Sequence, residues 1–372
     1  MINRLLQKTL RTKMGKGKAI LLIGPRQVGK TTLINKLLSK KQHVFLNGDD
    51  GTVRELLEHI NTASLKQLIG KNKVLFIDEA QRIKNIGLTL KIIVDQIKDC
   101  QVIVSGSSAF ELKNYTHEPL TGRKWEYKLY PVSWEEFEQH YGYLEAEQQL
   151  ECRLIYGMYP DVLNHPGEER DVIRNLTESY LYKDVFALEK LRKPEVLEKI
   201  LRALAYQLGN EVSFNEVAQL VGVDKNTVQK YIDVLSKAYV IFPLSSFSRN
   251  LRNEIKTQQK IYFYDNGIRN AIIGNFNALV NRDDVGKLWE NFLIAERFKY
   301  NAYHNSFAKG YFWRTVSQQE VDYVEEKQGR IKGYEIKWNP KAKVKIPKSF
   351  TTTYQTDVHK IDRSNFREFV KR

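Results

Sequence analysis

A phosphate-loop pattern near the N-terminus is the strongest constraint on how this chain folds. Residues 24–31 read GPRQVGKT and match the pattern GxxxxGK[ST] at every position. An apolar run of strand length, residues 19–23, precedes the pattern, and residues 32–38 show helical apolar spacing. Because a strand, a glycine-containing loop and a helix are the setting that this motif needs, the sequence predicts a site for nucleotide phosphates.

The residues of this loop have distinct expected roles. Gly24 and Gly29 let backbone N–H groups turn towards a phosphate, and the helix that follows adds its positive dipole end. Lys30 is the first candidate catalytic residue because it can reach the β- and γ-phosphates of ATP, while the Thr31 hydroxyl can bind Mg²⁺. The residues expected to hold the nucleotide are Gly24, Pro25, Arg26, Gln27, Val28, Gly29, Lys30, Thr31 and Thr32.

Two carboxylates follow another apolar strand, in the sequence VLFIDEAQ at residues 74–81. Asp78 is expected to hold the water shell of Mg²⁺, and Glu79 to polarise the water that attacks the γ-phosphate. An apolar strand that ends in acidic residues is common by chance. Beside a phosphate loop the same pair predicts an ATP-hydrolysing site.

Strands and helices alternate over the first part of the chain. The strands are predicted at residues 19–23, 43–46, 74–77 and 102–106, and the helices at about 30–39, 53–69 and 87–98. This alternation predicts an α/β fold with a mostly parallel sheet covered on both faces. Ligands of such sheets bind at the carboxyl ends of the strands, where the phosphate loop lies.

Two further positions allow a catalytic or a structural interpretation. Ser107 and Ser108 follow the fourth strand and could contact the γ-phosphate or orient the water, or could cap a helix at residues 109–112. Arg123 could stabilise transition-state charge, in its own chain or in a neighbouring subunit of a homo-oligomer. It could equally be a solvated surface cation.

Residues 195–247 show the pattern of a helix-turn-helix followed by a strand, as in a winged helix. Ser213 and Asp224 are expected to cap its second and third helices. The third helix presents cationic and amide side chains outward, at Lys225, Asn226, Gln229 and Lys230. These side chains could bind phosphates or base edges of DNA. Winged helices also serve as protein-binding modules or rigid spacers, so both interpretations remain open.

Three acidic residues and a lysine occur in a notable order near the C-terminus. Glu290 lies on a predicted helix, Asp322 in a strand, and Glu335 and Lys337 on one face of the next strand. Two of these carboxylates could hold Mg²⁺ while Lys337 stabilises phosphorane-like charge. This order resembles the PD-(D/E)xK nuclease core, although Val321 stands where that pattern has proline. The alternative is an amphipathic hairpin whose charged side faces solvent.

The charge of the chain favours an acidic partner. The net charge is +15 and the pI about 9.4, a balance that favours nucleic acid first and a membrane surface second. From residue 341 onward nine basic residues face three acidic ones. No apolar run is long enough to span a membrane, the N-terminus lacks a secretory signal, and two cysteines are too few for a disulfide framework. We therefore expect a cytoplasmic protein.

Four segments of the chain carry a family resemblance: GPRQVGKTT, VLFIDEAQ, VIVSGSSAFEL and LTGRKWEYKLYPVSWEEF. They resemble the AAA-type ATPases of bacteria and archaea that carry a C-terminal domain of unknown function, which is the AAA_14/DUF4143 architecture. The resemblance covers nearly the whole chain. It implies a P-loop ATPase domain over residues 1–142, a helical and winged-helix region over 143–250, and a restriction-endonuclease-like α/β domain over 251–372. The chain would then be an ATP-dependent enzyme acting on DNA, or a regulatory switch that binds a protein partner through a non-cleaving domain.

Overall fold

The computed structural model describes residues 1–107, 120–180, 193–248 and 259–371. The chain divides into two compact units. The first unit comprises Met1–Pro131 and Lys237–Tyr239, and the second comprises Val132–Ser236 and Val240–Arg372. The boundary predicted between residues 250 and 251 lies outside the described residues. The winged-helix and C-terminal segments share the second unit, and their division into separate domains stays a prediction.

A five-stranded parallel sheet forms the centre of the first unit, in the order β2-β3-β4-β1-β5. Its strands are β1 (Ala19–Ile23), β2 (Val44–Asn47), β3 (Val74–Asp78), β4 (Gln101–Gly106) and β5 (Lys124–Lys128). Every residue of β1 and β3 is buried. Strands buried on both faces are expected when helices cover both sides of a parallel sheet. The predicted α/β fold is confirmed.

Five helices accompany this sheet in the described part of the unit. They are α1 (Leu6–Lys13), α2 (Lys30–Leu38), α3 (Gly51–Glu58), α4 (Thr62–Ile69) and α5 (Ile86–Gln96). The helix predicted over 53–69 is in fact two helices. Asn61 caps the second, because its side chain accepts the backbone N–H of Ser64 at 2.9 Å. A side chain that caps a helix in this way favours a new start over continuation.

The second unit begins with helices and continues as a winged helix. The first helices are α6 (Trp134–Tyr141), α7 (Tyr143–Tyr156), α8 (Pro160–Asn164) and α9 (Glu169–Tyr180). The winged helix comprises α10 (Pro194–Tyr206), β6 (Glu211–Val212), α11 (Phe214–Val221), α12 (Lys225–Lys237), β7 (Ile241–Ser245) and β8 (Gln259–Phe263). Its strands form an antiparallel sheet in the order β6-β8-β7. Ser213 and Asp224 cap α11 and α12 as expected, accepting backbone N–H groups at 3.3 and 3.0 Å.

A four-stranded mixed sheet, in the order β12-β11-β10-β9, ends the second unit. Its region comprises α13 (Asn266–Ile273), α14 (Val285–Tyr303), β9 (Lys309–Arg314), β10 (Glu320–Lys327), β11 (Arg330–Ile336), α15 (Lys348–Tyr354), β12 (Val358–Ile361) and α16 (Phe366–Val370). Strand β10 pairs antiparallel with both neighbours, which brings Asp322 near the end of β11. None of the described helices is both long enough and apolar enough to cross a bilayer.

Gly48, at the end of β2, lies against the backbone of the segment that carries the two predicted carboxylates. A Cβ at this position would lie 2.4 Å from the Glu79 carbonyl oxygen. We expect Gly48→Ala to lower the free energy of unfolding by about 1–3 kcal/mol, because backbone must move to relieve the overlap. The measurement is denaturant unfolding followed by tryptophan fluorescence.

Gly51→Ala is the matched control for this substitution. The nearest atom to a Cβ there is the flexible Arg54 Nη2 at 3.6 Å. Its unfolding free energy should stay unchanged or rise by up to about 1 kcal/mol, since alanine favours a helix more than glycine does. Equal stability of the two variants would contradict the close approach at Gly48.

Candidate functional site

The carboxyl ends of β1, β3 and β4 bring the phosphate loop and the acidic pair to one edge of the sheet. Residues 24–29 leave the end of β1 and lead into α2, whose first residue is Lys30. Gly29 caps this helix in the left-handed conformation, with φ of 89°. A residue with a side chain rarely adopts this conformation, which is why the motif needs its second glycine at this position.

Lys30 is buried against the loop that precedes it. Its Nζ donates hydrogen bonds to the carbonyl oxygens of Gly24 at 3.0 Å and Pro25 at 2.7 Å. Only 5% of the residue is exposed. The ammonium group is therefore held at the loop by backbone acceptors, in position to meet the phosphates that the loop is predicted to bind.

Asp78 connects the loop helix to the neighbouring strand. The Thr31 hydroxyl donates to Asp78 Oδ2 at 2.7 Å, and the Ser105 hydroxyl donates to Asp78 Oδ1. The backbone N–H of Glu79 also reaches Asp78 Oδ1, at 3.2 Å. A hydroxyl and a carboxylate that face each other are oxygen ligands of the kind Mg²⁺ takes in phosphate-loop sites. Thr31 and Asp78 therefore fit a nucleotide-bound Mg²⁺.

Glu79 is oriented by a residue that the sequence reasoning did not single out. Gln81 Nε2 donates to Glu79 Oε2 at 2.5 Å and to Ser107 Oγ at 2.9 Å. Gln81 is 7% exposed, and its Oε1 has no hydrogen-bond partner in the described part of the chain. Glu79 itself has a left-handed backbone, with φ of 48°. The geometry thus links the predicted base to Ser107 through one amide.

Ser107 is therefore placed at this edge, in contact with Gln81. Ser108 and the helix predicted at residues 109–112 lie outside the described residues. In the sequence, the one sign of a role for Gln81 is its position two residues after Glu79, in the segment VLFIDEAQ.

Arg4 is a second residue that sequence reasoning missed. Its Nη1 donates to the Val28 carbonyl oxygen at 2.7 Å, and its Nη2 to the Tyr130 carbonyl oxygen at 2.5 Å. Arg4 is buried, so these charge-assisted bonds are shielded from water. It lies 24 residues before Val28 and 126 before Tyr130, and no local pattern in the sequence indicates such contacts.

The other loop residues lie where the motif puts them, between β1 and the first turns of α2. Val28 is fully buried, and Gln27 has a positive φ of 57°. Thr32 lies in the first turn of α2. Direct contact of Arg26, Gln27, Val28 and Thr32 with a nucleotide stays a prediction.

Arg123 lies at the opposite edge of the sheet from the phosphate loop. Its carbonyl oxygen accepts the backbone N–H of Ala19, the first residue of β1, at 2.9 Å. Its Nε forms an ion pair with Asp95 Oδ1 at 2.7 Å. Within its own chain the structure does not bring Arg123 to the loop, since the length of β1 separates them. A role in a neighbouring subunit stays a prediction.

The C-terminal sheet brings together three of the four residues predicted from the nuclease-like order. Lys337 Nζ lies 3.2 Å from Asp322 Oδ2 and 3.0 Å from Glu335 Oε2. The backbone N–H of Ile336 donates to the same Asp322 oxygen at 2.8 Å. Burial, and then the adjacent Asp322 carboxylate, raise the pKa of Glu335 to about 7. These two carboxylates thus already have cationic and N–H partners.

Glu290, the fourth residue, has different partners. It accepts from the Tyr262 hydroxyl at 2.6 Å, and Lys260 Nζ lies 3.4 Å from it. Lys260, which sequence reasoning missed, also forms an ion pair with Glu320. Burial lowers the pKa of Lys260, but the carboxylates of Glu290, Glu320 and Asp322 outweigh this effect and leave the pKa raised.

The described residues include no group of three or more His, Cys, Asp or Glu side chains placed to hold a metal ion. In the C-terminal cluster, the ammonium groups of Lys260 and Lys337 lie beside the carboxylates. Binding of Mg²⁺ by two of the three carboxylates Glu290, Asp322 and Glu335 stays a prediction.

Three family models match separate parts of the chain. An AAA domain matches residues 16–138, and two domains of unknown function, DUF8612 and DUF4143, match residues 147–279 and 285–366. The first match spans the sheet, the loop and the acidic pair. The N-terminal unit has a P-loop fold, and the AAA domain model matches most of it. This assignment supports ATP binding, and such domains usually bind nucleotide with Mg²⁺.

The chain is similar along much of its length to uncharacterised proteins of other organisms. It is 26% identical to an uncharacterised protein of Mycobacterium tuberculosis over 332 residues, which is 88% of this chain and 72% of that protein. It is 23% identical to an uncharacterised protein of Methanocaldococcus jannaschii over 322 residues, 74% of this chain and 67% of that protein.

A solved structure shares the fold. The Walker-type ATPase of Pyrococcus abyssi superposes with a TM-score of 0.52 at 15% identity, covering 73% of this chain and 96% of that one. At 15% identity, this similarity shows that the two proteins share a fold, and it does not identify the activity of this chain.

Arg4 provides a test of how the phosphate loop is held. We expect Arg4→Ala to lower the free energy of unfolding by about 1–3 kcal/mol, because two buried carbonyl oxygens lose a charged donor. It should also weaken ATP binding, since Val28 belongs to the loop. Lys8→Ala, which removes an exposed cation of the adjacent helix α1, should leave both quantities unchanged. Thermal unfolding and nucleotide titration provide the measurements, and identical results for the two variants would contradict this role.

Proposed function

We propose that this protein hydrolyses ATP and that the nucleotide cycle controls a DNA-binding winged helix. The observation that carries the hydrolytic part is the position of Glu79. Its carboxylate is held by Gln81 next to the Thr31–Asp78 pair, at the edge of the sheet where the phosphate loop lies. A base oriented by a second residue, beside a metal-binding pair and a buried lysine, is the arrangement that attack of water on a phosphate requires.

Each residue of this site has a defined part in the proposed reaction. Lys30 neutralises charge that develops on the transferred phosphoryl group, while the loop N–H groups hold the β-phosphate. Thr31 and Asp78 hold Mg²⁺, which when bound neutralises phosphate charge. Glu79 orients and polarises the attacking water. Gln81 keeps the Glu79 carboxylate in place and links it to Ser107, which follows β4.

Two substitutions separate the base from the residue that positions it. Glu79→Gln should keep ATP affinity and lower kcat by about 100-fold or more, because a general base is worth roughly that factor. Gln81→Ala should lower kcat by about tenfold and leave the KM for ATP almost unchanged, because the base remains but is no longer oriented.

The control is Gln96→Ala, which removes an exposed amide on α5. Phosphate release and equilibrium nucleotide binding distinguish the outcomes. Full turnover by Glu79→Gln would exclude Glu79 as the base. Normal turnover by Gln81→Ala would show that the hydrogen bond from Gln81 to Glu79 does not contribute to catalysis.

The proposal of DNA as partner is supported by the exposed face of α12. Four cationic or amide residues of α12 are exposed, whereas Val228, which lies between them in the sequence, is buried. The four exposed residues are Lys225, Asn226, Gln229 and Lys230. A winged helix that presents cationic and amide side chains in this way matches what phosphate and base contacts need.

The basic tail divides into two groups with different surroundings. Four of the basic residues form ion pairs within the second unit, and one of these pairs joins Arg367 to Glu138 at 2.7 Å. The four residues are Lys360, Arg363, Arg367 and Lys371. Lys341, Lys343, Lys345 and Lys348 are exposed, and the described residues offer them no ion-pair partner. We therefore assign DNA backbone contacts to this second group rather than to the whole tail.

The winged-helix proposal predicts a specific effect on DNA affinity. Lys225→Ala/Lys230→Ala should weaken duplex binding and reduce the slope of log K against log salt by about 2, one phosphate contact for each lysine. Lys66→Ala/Lys327→Ala removes two exposed lysines from other elements and is the matched control. Fluorescence anisotropy at several salt concentrations measures both quantities.

An unchanged salt slope would contradict DNA binding by α12. If ATP hydrolysis were also indifferent to DNA and a protein co-purified with the chain, the function would be a switch for a protein partner.

We further propose that the C-terminal sheet acts as a binding module without cutting DNA. The support is that Lys260, a lysine outside the nuclease-like order, lies 3.4 Å from Glu290 and also pairs with Glu320, so that Glu290 already has a cation beside it. Removing this cation from the buried cluster would leave carboxylates without a partner, so Lys260 has a structural role.

This proposal predicts that plasmid, linear and single-stranded DNA remain intact when incubated with the purified protein and Mg²⁺ or Mn²⁺. Gel electrophoresis is the measurement, and Asp322→Ala serves as the control for a contaminating nuclease. Cleavage by the native chain that Asp322→Ala abolishes would restore the nuclease interpretation.

A further inference from the structure

A basic cavity lies at the amino ends of the strands in the first unit, where neither the motifs nor the proposed function assigns a role. Its volume is about 570 Å³, within the range typical of pockets for small ligands. Segments before β1, β2, β3 and β4 line it together with the end of α1. Six cationic side chains contribute to the lining: Arg11, Lys18, Lys41, Lys71, Lys73 and Lys98.

The lining offers few acidic groups to balance the positive charge of these cations. The one acidic residue in the lining is Asp99. In the regions that the structure describes, none of the six cations forms a salt bridge with a carboxylate. Cys100 also lines the cavity, and burial raises the pKa of its thiol to about 11, so it is uncharged at neutral pH. The cavity therefore concentrates positive charge that a bound anion would compensate.

One wall of the cavity is held in place by hydrogen bonds. Gln101 Oε1 accepts the backbone N–H of Gly15 at 2.8 Å, and Gln101 Nε2 donates to the Lys18 carbonyl oxygen at 2.8 Å. The Lys18 ammonium lies over the Trp125 ring, 4.5 Å from its centroid. These contacts order the segment between α1 and β1 before any ligand arrives, which reduces the entropy lost on binding.

The cavity is separate from the nucleotide site. Lys18 and Lys73 immediately precede β1 and β3, whereas the phosphate loop and Asp78 lie at the other ends of the same two strands. A ligand in the cavity would thus occupy the opposite edge of the sheet from ATP.

We propose that this cavity binds a small polyanion whose phosphate groups are joined directly to one another. Cationic residues from several segments line one cavity, and such a lining suits a ligand that carries several negative charges close together. Directly linked phosphates supply them, whereas successive phosphates of a nucleic-acid strand are kept apart by sugars. A free polyphosphate and the polyphosphate group of a nucleotide share this chemistry.

Inorganic triphosphate is the probe for this site, titrated into the full chain by isothermal calorimetry at low salt. All variants carry Lys30→Ala, which removes the main cation of the phosphate loop and isolates the second site. A further substitution pair, Lys71→Ala/Lys73→Ala, should weaken triphosphate binding by at least about tenfold, since each lysine contributes a charge-assisted contact. Lys98→Glu, a charge reversal at an exposed position, should weaken it similarly.

The matched control is Lys66→Ala/Lys327→Ala in the same background, which should bind triphosphate as tightly as Lys30→Ala alone. Titration with ATP, with inorganic monophosphate and with a single-stranded DNA oligonucleotide identifies the source of the phosphates. ATP or triphosphate binding well above that of monophosphate supports the proposal.

Three results would overturn it: no triphosphate binding once Lys30 is replaced, equal loss in the control variant, or stoichiometric displacement of triphosphate by the oligonucleotide. The last would assign the cavity to a nucleic-acid backbone. Because every titration is done without an intact phosphate loop, failure here leaves the proposed ATP hydrolysis untouched.

Discussion

The hydrogen bonds of the Asp78 carboxylate hold together the edge of the sheet on which the nucleotide site depends. Thr31 on α2 donates to one oxygen, and Ser105 on β4 donates to the other. Asp78 is itself the last residue of β3, so one buried side chain connects three elements. A buried carboxylate is costly unless hydrogen bonds satisfy it, and these donors supply them. The position of Glu79 follows, since it is the next residue in the chain.

The positive charge of the chain is used in different ways in its different parts. In the second unit, buried or half-buried cations such as Lys260, Arg297 and Arg367 pair with carboxylates, and these pairs connect segments that are distant in sequence. At the amino edge of the first sheet, cations converge on a cavity with a single carboxylate. A net charge of +15 therefore does not by itself identify a nucleic-acid protein, because part of it stabilises the fold and part lines a separate cavity.

The phosphate loop, the acidic pair and the parallel sheet could be predicted because each depends on a short, contiguous pattern. The same was true of the caps Ser213 and Asp224, whose acceptor oxygens lie within three residues of their donors. Arg4 and Lys260 could not be found in this way, because their partners are 24 to 126 residues away and no periodicity links them. Helical spacing continues over residues 53–69, but the Asn61 side chain caps a new helix within this range and so divides it in two. Arg123 precedes a strand in the sequence, but the sequence alone does not tell whether that strand runs parallel to β1, and so at which end of the sheet Arg123 lies.

We propose that the Gly24–Thr31 loop and Asp78–Glu79 form one ATP-hydrolysing site. The most direct test compares phosphate release from ATP and Mg²⁺ by the native chain and by Lys30→Ala, with nucleotide binding measured on the same samples. We expect turnover by the native chain that stops when Mg²⁺ is chelated. In Lys30→Ala we expect loss of turnover and of ATP binding at the phosphate loop, and any ATP binding that remains should depend on Lys71 and Lys73 of the basic cavity. Undiminished turnover by Lys30→Ala, or a native chain that binds no ATP, would contradict it.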